Sequence, residues 1–346
     1  MNNHITETDM TATPRSLNTV SRRKLMLAAA TGAAAVLAPQ VAGAQAAWPE
    51  RPITLVVGYA PGGQSDMHAR ILAKRLSTTL GQPVVIENKA GAGTTLAAEY
   101  VARAKPDGYT LLMAGGSALT IAPYTYSSIR YKVEDFQTIS LTSYIPVGLI
   151  INPQAIPVKD FKEFIAWAKA NPNKFNYATT GPGGASHLLG ELIKTRLNID
   201  IVPVHYKGAG PALQDVLAGR VQGIVDSLPP HLPFIALGKE LGLAISSEKR
   251  LPGAPQVPTF AELGYPELGM GSWNGIVVPK GTPQAIVDKL YHAVVEAAST
   301  EEFKTRVTAD AIVPAATTPA EFDAIIKRDY KVWGEVVKKI GGVKLD

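Results

Sequence analysis

Two glycine-rich turns limit what this chain can fold into. Tyr59-Ala60-Pro61-Gly62-Gly63-Gln64-Ser65-Asp66 and Thr180-Gly181-Pro182-Gly183-Gly184-Ala185-Ser186-His187 each lie between a strand-like run and a helix-like run. A strand that enters a helix through a turn poor in side chains leaves the first helical N–H groups unpaired, and glycine lets a ligand come close to the backbone. Two such turns in separate halves of one chain predict a cleft closed from both sides.

The rest of the chain supports that layout. Residues 53–57 are apolar or β-branched and read as a buried strand ending at the first turn. Ser65 is expected to cap the next helix, on which Ala69, Leu72, Leu76 and Leu80 share one face until Gly81-Gln82-Pro83 stops it. A strand at 84–86, the turn Gly91-Ala92-Gly93, a helix at 95–104 and a strand at 109–113 follow, the last entered through Pro106-Asp107-Gly108. Alternation through short turns predicts a doubly wound parallel sheet. The pattern restarts with a strand at 146–152, a helix at 158–170, a strand at 175–178 and a helix at 187–197. Further strands fall at 201–205, 222–226 and 241–246. Residues 273–279 read as a strand returning to the first half, before helices at 283–298 and 319–339.

Ser21-Arg22-Arg23-Lys24 precedes a short alanine-rich apolar run at residues 28–38, and Ala44-Gln45-Ala46 follows as a cleavage site. This reads as a leader of the twin-arginine type, removed on export to the periplasm, since a membrane span needs roughly 20 apolar residues. The net charge of +5 includes an excess carried by the leader. No basic block alternates with aromatics, so nucleic acid is not an expected partner. With no cysteine among 346 residues, disulfides and thiol-based metal or nucleophile sites are excluded.

Several segments carry a family resemblance. Trp48-Pro49, Arg51-Pro52-Ile53, the Pro61-Gly62-Gly63-x-x-Asp66 turn, Leu80-Gly81-Gln82-Pro83-Val84-Val85, Glu87-Asn88-Lys89, Gly91-Ala92-Gly93 and Pro106-Asp107-Gly108-Tyr109 lie in the first part. Residues 183–188, Tyr206-Lys207-Gly208-Ala209, Ala218-Gly219-Arg220-Val221, Val257-Pro258-Thr259 and Trp273-Asn274-Gly275 continue the match. Together they resemble the periplasmic receptors of tripartite tricarboxylate transporters, the Bug family. The resemblance implies an α/β fold, a type II periplasmic-binding-protein clamshell of two doubly wound domains with a ligand cleft between them. Domain I would comprise residues 47–148 and 268–346, domain II residues 149–267, after a leader at 1–46. It also implies a monomer without catalysis or cofactor that delivers a small carboxylate to membrane subunits of a transporter. The segment Ile121-Ala122-Pro123-Tyr124 to Arg130-Tyr131-Lys132 departs from the usual family pattern, at the rim of the implied pocket.

In open α/β sheets ligands sit beyond the carboxyl ends of the strands, where these turns fall. The first turn offers Tyr59 and Pro61 together with Gly62, Gly63 and Ser65, and the N–H groups around the last three can hold a carboxylate directly or through water. The second offers Gly181, Gly183 and Ser186 with the hydroxyls of Thr179 and Thr180. Asp66 either binds nearby backbone N–H groups or orders a water, or serves only to complement the helix dipole. His187 either donates to the ligand or is structural, and Asp226 either accepts from a ligand hydroxyl or amine or braces Pro229-Pro230. Tyr206, Ala114, Gly115 and Ser117 are further candidates, and Lys207 is either an anion partner or a solvated loop lysine.

An enzyme is the competing class, because Ser186, His187 and Asp226 supply a nucleophile, a base and an acid. Adjacent side chains at a helix start diverge, however, and no G-x-S-x-G elbow, phosphate loop, complete dinucleotide fingerprint or H-E-x-x-H zinc motif occurs. A clamshell receptor of a different transport or sensing system is the other alternative. The ligand's identity is not encoded in these residues.

Overall fold

The computed structural model describes residues 48–345. The leader and its cleavage site lie outside the described residues.

Two mixed sheets divide the strands. The first has the order β11-β4-β10-β3-β1-β2, built from β1 (Ile53–Val57), β2 (Val84–Asn88), β3 (Thr110–Gly115), β4 (Phe136–Ile145), β10 (Ser272–Pro279) and β11 (Val313–Pro314). The second has the order β7-β6-β8-β5-β9, built from β5 (Val147–Ile151), β6 (Phe175–Thr179), β7 (Ile201–His205), β8 (Gly223–Ser227) and β9 (Leu241–Ile245). The chain passes from one sheet to the other across Pro146, which separates β4 from β5, and returns through the segment between β9 and β10.

Helical connections make the β1-to-β2, β1-to-β3 and β6-to-β7 pairings parallel, as the alternation predicts. The return strand changes this. β10 runs antiparallel to both β3 and β4, so the sheet is mixed rather than wholly parallel. The pattern read from the sequence also lacks a strand over residues 136–145. β4 carries buried Ser140, Thr142 and Ser143 where an apolar run would signal a core strand, and two register shifts interrupt its ladder with β10. Ser140 and Thr142 satisfy their hydroxyls on backbone carbonyls, Ser140 on Thr317 at 2.7 Å and Thr142 on Asn274 at 3.1 Å.

The Gln64–Leu80 helix buries Ala69, Leu72, Leu76 and Leu80 as expected, and Gly81 ends it in the left-handed region at φ 72°. Its N-cap is Gly63, not Ser65. The Gly62 N–H is held by the Asp66 carboxylate at 2.9 Å, which closes the turn early enough for the helix to begin at Gln64. The second sheet's helix starts at Phe161, capped by Asp160, which accepts from Glu163 N–H at 2.7 Å. The Pro319–Lys339 helix opens with a Thr318/Glu321 capping box and buries Phe322, Ile326, Trp333, Val336 and Val337.

Candidate ligand-binding site

The carboxyl ends of β1, β2 and β3 lie along one edge of the first sheet, where β4 ends and antiparallel β10 begins. In the second sheet β6, β7 and β8 end along one edge, where antiparallel β5 begins. This is the edge at which open α/β sheets collect ligands.

The two glycine turns leave these edges with one geometry. Gly62 (φ 81°) and Gly183 (φ 68°) occupy the left-handed region that glycine enters without steric cost. The next residue, Gly63 or Gly184, is the extended N-cap of the helix. In each turn the left-handed glycine donates its N–H to the side chain four residues on: Gly62 to Asp66 Oδ2 at 2.9 Å, Gly183 to His187 Nδ1 at 3.1 Å.

The acceptors differ in charge. Asp66 also receives Arg70 through Nε at 2.8 Å and a second guanidinium nitrogen at 3.0 Å, and Asn88 Nδ2 at 2.8 Å. The Arg70 bond, followed by those from Gly62 and Asn88, outweighs burial and holds the Asp66 pKa at about 2. His187 is buried, and that burial, with His205 packed edge-on at 4.6 Å, lowers its pKa to about 4. It is therefore neutral at physiological pH, and because Nδ1 accepts the Gly183 N–H its proton resides on Nε2, 4.0 Å from Glu191 Oε1. Ser186 turns to Thr180, accepting from its N–H at 3.0 Å and sharing a 3.1 Å bond with its hydroxyl. Thr179 shares a 2.8 Å bond with His205 Nδ1.

A cavity of about 190 Å³ opens against the second turn. Thr180, Gly181, Pro182, Gly183 and Gly184 line one side, and Gly93, Ser117, Ile121, Ala122, Thr125 and Tyr126 line the other, with Leu345 between them. None of these side chains is charged. The Ser117–Ile121 segment is a single π-helical turn directly after β3, a distortion that recurs at functional sites. Leu345 donates its N–H to the Thr125 carbonyl at 2.9 Å. A Cβ placed on Gly183 would lie 3.0 Å from Val343 and 3.1 Å from Leu345, so the tail is seated against the turn.

Of the residues expected from the sequence, the cavity brings together Ser117, Thr180, Gly181 and Gly183. Tyr59, Pro61, Gly62, Gly63, Ser65 and Asp66 are not among its lining residues. Ala114 and Gly115 are buried at the end of β3, and a Cβ on Gly115 would sit 2.7 Å from the Tyr59 hydroxyl. Tyr206 gives its hydroxyl to Asp215 at 2.8 Å, and burial, then that bond, raises its pKa to about 12. Lys207 is exposed on the following loop. Asp226 is buried at the end of β8. Its Oδ1 accepts the Ser227 N–H at 2.7 Å, while Oδ2 lies 3.7 Å from His231 Nε2. His231 in turn binds Glu240 at 2.9 Å, and the two carboxylates outweigh burial to raise its pKa to about 9.

The sequence reading assigned no role in the site to the Gly93 turn and placed the segment from Ile121 only at the pocket's rim, naming none of its residues as a ligand contact. Their signal was present, in the Gly91-Ala92-Gly93 turn and in the segment where the family pattern lapses.

Residues 68–342 match the family model described as tripartite tricarboxylate transporter family receptor. The chain belongs to that family. It is 37% identical over 296 residues to Protein BugT of Bordetella pertussis, covering 85% of this chain and 90% of that protein. Among solved structures it is similar to MatC from Rhodopseudomonas palustris with bound malate, at 33% identity and a TM-score of 0.65, covering 84% of this chain and 99% of that one. It is also similar to R. palustris Rpa4515 with adipate, at 32% identity and a TM-score of 0.68, covering 86% and 100%. The two-sheet architecture is thus that of the type II periplasmic-binding-protein clamshell. Among the described residues, no helix is long and apolar enough to cross a membrane.

Proposed function

We propose that this chain is a periplasmic receptor that captures a small organic carboxylate in its cleft, without transforming it, and delivers it to the membrane subunits of a tripartite transporter. The observation that carries this reading is the uncharged cavity of about 190 Å³ at the second glycine turn. Its volume lies below the roughly 300 Å³ at which pockets for drug-sized ligands begin, which favours a small metabolite. The Ala185–Leu197 helix directs the positive end of its dipole and its first N–H groups toward that space, an environment suited to a carboxylate. The bound malate and adipate of two relatives agree with such a ligand. The first glycine turn leaves the end of β1, at the edge of the first sheet from which Ser117 follows β3.

The placement of Ser186 and His187 favours binding over hydrolysis. Each is turned to the backbone of its own loop rather than to the other, so the pair lacks the nucleophile-to-base bond of an acyl-transfer site. Domain I is proposed to comprise residues 47–148 and 268–346, and domain II residues 149–267. The crossings at Pro146 and between β9 and β10 support that division. Export by the twin-arginine route is proposed from Arg22-Arg23.

The test is a thermal-shift and calorimetric screen of the purified chain against mono- and dicarboxylates, followed by mass spectrometry of the recovered binder and small-angle scattering with and without it. The expected result is micromolar binding, compaction and an unaltered ligand. Turnover that depends on Ser186, or binding to no carboxylate, would refute the reading.

A further inference from the structure

The cleft edge of the first sheet contains a polar cell of which the sequence reading named Tyr59 and Gly115 but neither Asn274 nor Ser143 as site residues. Asn274, in β10, is 1% exposed, yet among the described residues neither Oδ1 nor Nδ2 of its side chain has a hydrogen-bond partner. Directly across the ladder, Ser143 is fully buried and its Oγ is likewise without a partner. Residues opposite one another in an antiparallel pair share a face, so the two groups stand side by side. On the other flank Asn274 pairs with Gly115. A Cβ on Gly115 would lie 2.7 Å from the Tyr59 hydroxyl and 3.8 Å from Asn274 Oδ1, so both groups reach over the same glycine.

These orphans are not a general feature of the strand. Thr142 and Ser140, their neighbours in β4, both satisfy their hydroxyls on the backbone. An amide buried without partners is costly, and most buried polar groups in a native fold find one. The cell is adjacent to the site already described, because Gly115 lies two residues before Ser117 of the cavity wall.

The chemistry of the cell selects its occupant. An amide needs an acceptor for its NH₂ and a donor for its oxygen at the same time. A carboxylate brings no donor for Oδ1 and faces it with negative charge, and an ammonium brings no acceptor for Nδ2. A hydroxyl satisfies both, and the Ser143 and Tyr59 hydroxyls can either give or accept the remaining bond. We propose that Asn274, with Ser143 and Tyr59, is a subsite for an alcohol hydroxyl, and that the ligand is a hydroxy-carboxylate. This rests on the receptor reading above and names the class of carboxylate it takes.

Calorimetry on the purified chain with pairs differing by one hydroxyl tests it: L-malate against succinate, 2-hydroxyglutarate against glutarate, lactate against propionate, with L-aspartate as the amine counterpart. For the pair that fits the cleft, the hydroxylated member is expected to bind at least about tenfold tighter, since a site built around a hydroxyl discriminates strongly against its absence. Asn274→Leu should abolish that preference while leaving affinity for the unhydroxylated member within about twofold, and its melting temperature should be unchanged or higher, because an unpaired buried amide has been removed. Ser143→Ala, the milder change, should reduce the preference several-fold and provides the answer if Asn274→Leu does not fold. Equal affinity within every pair, a preference that survives both variants, or Asn274-dependent selection of L-aspartate over L-malate would each overturn the hydroxyl subsite while leaving the receptor reading intact. Failure to bind any member of the panel would overturn the receptor reading itself, and the subsite with it.

Discussion

The two glycine turns follow the same backbone course and differ in one acceptor. A left-handed glycine donates to the side chain four residues on in both, but that side chain is the Asp66 carboxylate in the first and the neutral His187 imidazole in the second. Only the second turn lines the cavity. A carboxylate in the first turn of a helix, here shared with the Arg70 guanidinium, competes for the field that would attract an anion, whereas a neutral acceptor fixes the loop and leaves that field available. The comparison teaches that the pattern of glycines specifies the turn, and the residue four positions later sets the charge of the group that closes it.

The sharpest way to break the comparison is to remove the charged brace. Asp66→Ala deletes a carboxylate that is 1% exposed and holds Gly62, Arg70 and Asn88 at once. Hydrogen bonds to charged groups contribute about 1.5–3 kcal/mol each, and the partners left behind recover part of this in solvent, so a loss of about 3 kcal/mol in urea denaturation is expected. A loss under about 0.5 kcal/mol would show that Asp66 does not brace the turn. Carboxylate affinity of the folded variant should stay within about threefold of wild type, because the first turn is outside the cavity.

The neutral brace carries a different signature, in pH. His187 has a folded pKa near 4, below its ordinary 6.5. The unfolded chain therefore takes up a proton that the folded chain refuses as pH falls from about 6.5 toward 4, and stability drops across that window by an amount of order 2 kcal/mol. His187→Gln should make this stretch of the stability profile shallower by the share of His187, while His68 and His205, whose pKa values burial also lowers, keep the remainder. His231 predicts the opposite slope: its pKa is raised to about 9, so the stability it contributes is full below 6.5 and is lost as pH climbs through 9. An acidic slope wholly unchanged in His187→Gln would assign it to His68 and His205 instead.

How much of this was legible in the sequence can be traced residue by residue. The two turns, the apolar face of Ala69, Leu72, Leu76 and Leu80, and the return strand ending at Pro279 all followed from local rules of period and turn chemistry. β4 did not, since its buried hydroxyls are satisfied by Thr317 and Asn274, residues far along the chain. The roles of Ser65 and Asp66 within the first turn depend on which of them reaches the Gly62 N–H, a matter of three-dimensional distance. Asn274 was visible only as part of a motif. Its orphaned amide emerges once β10 is laid between β3 and β4, a pairing across more than a hundred residues.

The finest discrimination between the turns comes from placing the same acidic side chain on each. At Gly183 the backbone is left-handed, and a Cβ would press on Val343 and Leu345 at 3.0 and 3.1 Å, so Gly183→Asp adds strain, displaces the tail and puts negative charge on the cavity wall. At least a tenfold loss of carboxylate affinity, about 1.4 kcal/mol, is expected. At Gly63 the backbone is extended at φ −72°, and the nearest atom to a new Cβ is the Ala60 carbonyl oxygen at 3.4 Å. An aspartate there occupies an N-cap position, where its side chain can accept from the helix's free N–H groups. Gly63→Asp is therefore expected to shift affinity by less than about threefold and to leave stability within about 0.5 kcal/mol of wild type. Calorimetry and urea titration of the two variants side by side decide the matter, and equal losses of affinity at both positions would mean that the first turn meets the ligand after all.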